Sequence, residues 1–151
     1  MIDGVKVKEM KPIADERGMV MEILRGDDAI FKKFGQVYMT TAYPSVVKGW
    51  HYHKVQSDNF ACLKGMVKLV LYDSREKSPT KGKIDEFFIG VRRNILVQIP
   101  PGVYHGFKCV GENEAIMINI PTEVYNHSKP DEYRLPWNDP SIPYNWDRQN
   151  G

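Results

Sequence analysis

Two histidines one residue apart are the strongest chemical signal in this sequence. His51 and His53 are two of the four histidines in the chain. They lie in a segment typical of a strand, where side chains at i and i+2 point to the same face. Burying two imidazoles together is costly unless both are hydrogen-bonded or liganded. The pair therefore predicts a functional cavity into which both rings project.

A third histidine, His105, follows Pro100-Pro101-Gly102, a turn expected to end a strand at the mouth of a barrel. Neutral imidazoles beside a cation such as Lys48 can remove an acidic C–H proton and stabilise the resulting enolate. The three histidines and Asp58 also offer three nitrogens and one oxygen, a set that suits Fe, Mn, Ni or Zn. Spacing alone leaves both alternatives open.

The elements that must position these residues are short β-strands. Alternating apolar segments bounded by Gly, Pro and polar turns predict an all-β sandwich or barrel. The predicted strands lie within residues 2–10, 19–24, 36–41, 60–72 (two strands hinged at Gly65), 84–90, 94–99 and 115–120. Residues 27–34 are predicted to form one or two helical turns. From Pro121 an irregular, Pro- and aromatic-rich tail is expected to pack on the barrel.

Composition narrows the classes of function. A chain of 151 residues predicts one domain over residues 1–151. Its 21 basic and 19 acidic residues give a net charge of +2, too balanced to favour nucleic acid. No apolar run approaches the roughly 20 residues of a membrane span, and no signal peptide is visible. We expect a cytoplasmic protein with Cys62 and Cys109 as buried thiols.

Five motifs occur in a characteristic order: Asp15-Glu16-Arg17-Gly18 followed by Glu22, Lys48-Gly49-Trp50-His51-Tyr52, Ser78-Pro79-Thr80-Lys81-Gly82, the segment Ile99 to Phe107, and Trp137-Asn138-Asp139-Pro140. Together they resemble the dTDP-4-dehydrorhamnose 3,5-epimerase family. The resemblance spans about residues 1 to 147. It implies a cupin-type jelly roll, a homodimer, no cofactor and no metal. The implied reaction inverts a carbon beside the ketone of a nucleotide-diphosphate 4-keto-6-deoxy sugar through an enolate.

The resemblance also implies roles for individual residues. His51 matches the catalytic base, and Lys48 stands where an arginine is usual. Asn119 falls where the family has its proton-donating tyrosine, so a second proton carrier is sought in His53 or Tyr104. The resulting candidates are His51, His53, His105 and Tyr104 for catalysis, and Arg17, Glu22, Lys48 and Asn119 for substrate binding.

Three alternatives remain from the sequence. The His-x-His-Lys segment is also similar to that of sugar 3,4-ketoisomerases, in which a histidine pair moves protons on one face of the sugar. The same segment is close to the metal-binding motif of cupins, with His51, His53, Asp58 and His105 as ligands. The third alternative is a sugar-binding cupin without activity.

Overall fold

The computed structural model describes residues 1–149, and within them the chain forms twelve β-strands. In chain order these are β1 Lys6–Glu9, β2 Pro12–Asp15, β3 Gly18–Met21, β4 Tyr38–Ala42, β5 Val47–Tyr52, β6 Asp58–Lys64, β7 Met66–Asp73, β8 Ile84–Gly90, β9 Ile95–Ile99, β10 Val103–Cys109, β11 Ala115–Asn119 and β12 Tyr133–Arg134. This part of the chain has no helix long and apolar enough to cross a membrane.

Two five-stranded antiparallel sheets make up the body of the molecule. The first sheet has the order β1-β9-β6-β11-β4, and the second has the order β12-β5-β10-β7-β8. Consecutive strands such as β6 and β7 therefore lie in different sheets, with Gly65 at the crossing in a left-handed conformation (φ 76°). This double-sheet arrangement is the predicted all-β jelly roll.

The core lies between the two sheets because one face of each strand is apolar. Val67, Leu69 and Leu71 of β7 are fully buried against Phe60 and Met117 of the first sheet. Cys62 and Cys109 are free, buried thiols within this cluster, as predicted. A second cluster forms on the outer face of the second sheet, where Trp146 of the tail packs on Trp50. The prediction that the aromatic tail packs on the barrel is thus confirmed.

The helical turns predicted for residues 27–34 do not form. Asp28 accepts a hydrogen bond from the backbone N–H of Arg25 at 2.7 Å, and the segment makes only isolated turns. Ile30 is buried in a small apolar cluster, and its carbonyl accepts a hydrogen bond from Gln98 Nε2 at 2.8 Å. That carbonyl is therefore bonded to another part of the fold and not to a helical partner.

Three strands were not foreseen, and one of them, β12, lies in the tail that was predicted to be irregular. The turn at Pro101 and Gly102 leads directly into β10, so His105 lies within a strand and not in the predicted turn. β2, which pairs with β3 in a separate hairpin, was not among the predicted strands. Pro12 opens β2 at the hairpin's end, a place where a missing backbone N–H is tolerated.

A pair of glycines allows β5 and β10 to approach closely next to His105. A Cβ atom on Gly106 would lie 2.8 Å from Gly49 Cα and 3.0 Å from Lys48 O. The register of β10 against β5 shifts between His105 and Phe107, at this same point. The two glycines therefore fix how the strand carrying His105 lies against its neighbour.

Gly106→Ala is expected to reduce the free energy of unfolding by roughly 1–3 kcal/mol, because the added methyl group overpacks this strand contact. Gly26→Ala is the matched control, since nothing lies within 4 Å of its added Cβ. Urea denaturation of both variants tests this. Equal stabilities for the two would contradict the close packing of β5 and β10.

Candidate active site

A cavity of about 830 Å³ opens between the two sheets, with the C-terminal segment forming part of its wall. His51 and His53 both line it, as their spacing predicted. His51 lies on β5, and His53 follows one residue after that strand ends. Their ring centroids are 6.2 Å apart.

His51 occupies the middle of a row of residues that crosses the second sheet. It is paired in register with His105 of β10 on one side and with Arg134 of β12 on the other. The rings of His51 and His105 are 4.3 Å apart. Burial, followed by the charge of His105, lowers the pKa of His51 well below its ordinary value. His51 is therefore a neutral proton acceptor near pH 7.

Behind His51, a buried carboxylate connects the first sheet to the histidines of the second. Asp58, the first residue of β6, is 1% exposed. Its Oδ2 atom lies 3.1 Å from Nε2 of His53 and 3.1 Å from Nε2 of His105. Burial alone would raise the pKa of Asp58, but the contacts with His105 and His53 hold it far below its usual range.

The Nδ1 atoms of His53 and His105 are each hydrogen-bonded to a backbone carbonyl. His53 Nδ1 meets the carbonyl of Asp131, and His105 Nδ1 lies 3.1 Å from the carbonyl of Val103. An imidazole that donates a hydrogen bond from Nδ1 can interact favourably with the Asp58 carboxylate in two cases only. Either its Nε2 atom also carries a proton, or a cation lies between Nε2 and the carboxylate. Burial lowers the pKa of His53, but the Asp58 carboxylate outweighs burial and raises it above its ordinary value.

The same three side chains can hold a metal ion. The ligand atoms of His53, Asp58 and His105 all lie within 4.8 Å of one another. Within residues 1–149, Asp58 Oδ2 and His105 Nε2 are buried without an aligned hydrogen bond. Backbone carbonyls that accept from Nδ1 are the usual partners of metal-binding histidines. The donor set and its surroundings therefore fit a divalent transition metal.

Lys48 lines the cavity as predicted, with Nζ donating to Thr40 Oγ1 at 3.0 Å. His105 contacts His51 but is 1% exposed and lies behind the cavity wall. His105 therefore lies against His51 from behind the cavity wall, and its role in catalysis stays a prediction.

Tyr104 and Asn119 are not on the cavity wall. Side chains alternate along β10, so Tyr104 points away from His105 and its ring packs on Tyr52, with centroids 4.6 Å apart. The structure therefore does not bring Tyr104 to this cavity, and its role as a proton carrier stays a prediction. Asn119 is fully buried and bonded at both ends of its amide, so the predicted contact with substrate is not supported.

Arg17 and Glu22 also lie away from the cavity in this single chain. Arg17 is on the β2–β3 hairpin and pairs with Asp15, while Glu22 pairs with Arg25 at 2.7 Å. The hairpin is a separate two-stranded sheet, so nothing within one chain brings these residues to His51. Their roles in substrate binding stay predictions.

The structure adds wall residues that the sequence reading missed. Arg134 lies opposite His51 in register and pairs with Glu132 at 2.7 Å, and both line the cavity. Tyr38, Tyr125 and Trp137 contribute aromatic rings to the same wall. Trp137 belongs to one of the five motifs of the sequence. The positions of Arg134, Tyr38 and Tyr125 depend on how distant segments pair and pack, which periodicity does not show.

An all-β sandwich that holds a neutral histidine beside a buried His–Asp–His cluster defines a candidate acid–base or metal enzyme. Comparison with known proteins narrows this class. The family model described as dTDP-4-dehydrorhamnose 3,5-epimerase matches residues 1–150, and the chain belongs to this family. It is accordingly an isomerase of the nucleotide-sugar epimerase type, as predicted.

Three similar proteins illustrate the family. The spore coat polysaccharide biosynthesis protein SpsL of Bacillus subtilis is 42% identical over 149 residues, covering 99% of each chain. The probable low-salt glycan biosynthesis epimerase Agl13 of Haloferax volcanii is 39% identical over 150 residues, covering 98% of this chain and 96% of its own. The crystal structure of a dTDP sugar isomerase from Desulfovibrio desulfuricans G20 superposes with a TM-score of 0.91 at 34% identity, covering 96% of this chain and 92% of that one.

Asp58→Asn is expected to lower the pKa of His53, because the carboxylate that most strongly opposes the effect of burial is then lost. NMR titration of the histidine Cε1–H signals in metal-free protein measures the shift. Asp139→Asn, which removes an exposed carboxylate bonded to Ser141, is the control. An unchanged His53 pKa in Asp58→Asn would show that Asp58 does not hold the proton on this ring.

Proposed function

We propose that this protein inverts a carbon beside the ketone of a nucleotide-diphosphate 4-keto-6-deoxy sugar, with His51 as the base. The observation that carries the proposal is that the pKa values of His51 and His53 are shifted in opposite directions. His51 is held neutral by burial, while Asp58 favours the charged form of His53. Pairs of titratable groups whose environments push their pKa values apart mark acid and base roles.

The reaction follows from these protonation states. His51 removes the proton from the carbon beside the ketone, and the electron pair of that C–H bond moves to the ketone oxygen as an enolate. The cations at this wall, protonated His53 and Lys48, stabilise the developing negative charge. His105 and Asp58 hold the histidines in place from behind.

The rest of the cavity suits the nucleotide diphosphate. Arg134, on the cavity wall, supplies positive charge for the diphosphate. Trp137 is 54% exposed and Tyr125 is 40% exposed, and both line the cavity. Exposed rings of this kind stack on bases without strong sequence preference, which leaves the identity of the nucleotide open to experiment.

Incubating metal-stripped protein with dTDP-4-keto-6-deoxyglucose in deuterated water tests the proposal. Proton NMR should show deuterium entering C3 or C5. His51→Gln should slow this exchange by about 10²–10⁴-fold, the range that one general base contributes. His127→Gln, which changes an exposed histidine at the cavity rim, should retain most of the exchange. Unchanged exchange in His51→Gln would overturn the assignment of the base.

The same experiment separates the alternatives. Exchange at C3 alone with movement of the ketone indicates a 3,4-ketoisomerase. Binding of the nucleotide sugar without exchange, whatever metal is supplied, indicates a binding protein. Exchange that appears only after Fe, Mn or Zn is restored favours a metal-dependent cupin. The metal-dependent alternative is supported by Asp58 Oδ2 and His105 Nε2, which are buried without an aligned hydrogen bond within the described residues.

We further propose that the protein acts as a cytoplasmic homodimer. The β2–β3 hairpin exposes Ile13, Met19 and Val20 to 63–64%. Ile13 and Val20 lie directly opposite each other in the hairpin. An isolated two-stranded hairpin is marginally stable in water, so burial of these side chains against a second copy accounts for an ordered hairpin.

Light scattering of the purified protein should give the mass of two chains. The double variant Ile13→Glu/Val20→Glu should be monomeric, because two charges would then have to be buried at the interface. Val91→Glu introduces a charge at an exposed valine outside the hairpin and should remain dimeric. A double variant that stays dimeric would exclude the hairpin as the contact.

A further inference from the structure

Inversion of a carbon requires two groups on opposite sides of the sugar ring. One group removes a proton from the first face, and the other delivers a proton to the second face. His51 lies on the second sheet, and His53, two residues further along, lines the same side of the cavity. His53 is thus placed to act at the ketone oxygen or on the face that His51 attacks. The delivering acid must therefore come from the side of the cavity that faces His51.

Tyr38 is the residue of the first sheet that meets this requirement. A row of paired residues crosses that sheet from Phe60 of β6 through Asn119 of β11 to Tyr38 of β4. Residues paired side by side point to the same face of a sheet. Phe60 and Asn119 are buried between the sheets, and Tyr38 accordingly projects inward and lines the cavity opposite His51.

A hydrogen bond sets the direction in which the Tyr38 hydroxyl donates. The backbone N–H of Asn59 donates to Asn119 Oδ1 at 2.9 Å, which fixes the orientation of the Asn119 amide. Asn119 Nδ2 must then donate to the Tyr38 hydroxyl, at 3.0 Å. The phenol oxygen is therefore an acceptor in this pair. Its own proton has no partner within residues 1–149 and is available to a ligand in the cavity.

The other tyrosine on the cavity wall lacks this support. The ring of Tyr125 packs edge-on against exposed His127, with centroids 5.0 Å apart. Tyr125 lies outside the strands and is not part of the row that faces His51. Within residues 1–149 no side chain hydrogen-bonds to its hydroxyl, so its position is set less strictly than that of Tyr38.

We propose that Tyr38 is the catalytic acid, a role that rests on the proposed function of the same cavity. His51 takes the proton as the C–H bond breaks and the enolate forms. The Tyr38 O–H bond then breaks, and its proton forms a new C–H bond on the opposite face of that carbon while the ketone is restored. Solvent returns a proton to the tyrosinate and removes one from His51, so the cycle closes without a redox partner.

The ionisation of Tyr38 agrees with this role. Burial raises the pKa of Tyr38 to about 12, and the hydrogen bond from Asn119 offsets this only in part. The phenol therefore stays protonated at neutral pH and holds its proton until an enolate carbon is present. Asn119 is a positioning residue that keeps the hydroxyl turned towards the cavity.

Tyr38→Phe provides a test that separates the two proton transfers. The ring remains in place, and His51 still exchanges the substrate proton with solvent on its own face. We expect inversion of dTDP-4-keto-6-deoxyglucose in deuterated water to fall by about 10²–10⁴-fold, while deuterium exchange with retained configuration continues. Tyr43→Phe, at an exposed tyrosine off the cavity wall, is the matched control and should invert at the wild-type rate.

Each outcome decides between separate claims. Inversion by Tyr38→Phe at the wild-type rate would overturn the role of Tyr38 as the acid. Loss of both exchange and inversion in a folded variant would also overturn it, because Tyr38 would then act before the enolate forms. Absence of exchange in the wild-type protein would instead count against the proposed function and its substrate.

Asn119→Asp tests the positioning of the hydroxyl while the phenol remains. A carboxylate at this position still accepts from the Asn59 N–H, but it now also accepts from Tyr38. The phenol proton is then turned away from the substrate. The ratio of inversion to exchange should fall, whereas a purely structural role for Asn119 would lower both rates together.

Discussion

The buried carboxylate of Asp58 is the constraint on which the site depends. A lone carboxylate at 1% exposure would be strongly unfavourable. Asp58 is tolerated because two imidazoles from the opposite sheet turn their Nε2 atoms towards the same oxygen. Backbone carbonyls at Asp131 and Val103 fix the other side of those rings. This arrangement ties the two sheets together through charge, at the place where they must separate to leave a cavity.

That constraint also explains why two neighbouring histidines differ. His53 touches Asp58, and the contact outweighs the effect of burial on its pKa. His51 has no such contact and lies against His105, so burial and a neighbouring ring both disfavour its charged form. Two histidines only two positions apart in the chain thus differ in which protonation state their surroundings favour. The same carboxylate also brings three ligand atoms of a candidate metal site within 4.8 Å of one another.

Much of the frame could be read from sequence because it depends on local patterns. Alternation predicted β8 to its exact bounds, and Gly65 marked the change of sheet. Patterns failed where a distant group decided the outcome. Gln98 donates a hydrogen bond to the carbonyl of Ile30, which is therefore bonded to a distant strand and not to a residue of a helical turn. The convergence of the three histidines was likewise predicted, but the depth of His105 was not, because depth depends on which strand covers it.

Tyr38 shows the limit of such patterns most clearly. In the sequence it is an aromatic residue at the start of a β-type run, which is an ordinary strand former. Its role emerges only from the pairing of β4 with β11, which places Asn119 beside its hydroxyl. From the sequence alone, Asn119 stands where the family has its proton-donating tyrosine, so the acid is absent at that position. The paired strand supplies a phenol at the same level of the sheet, so the two walls of one sandwich carry the two groups that an inversion requires.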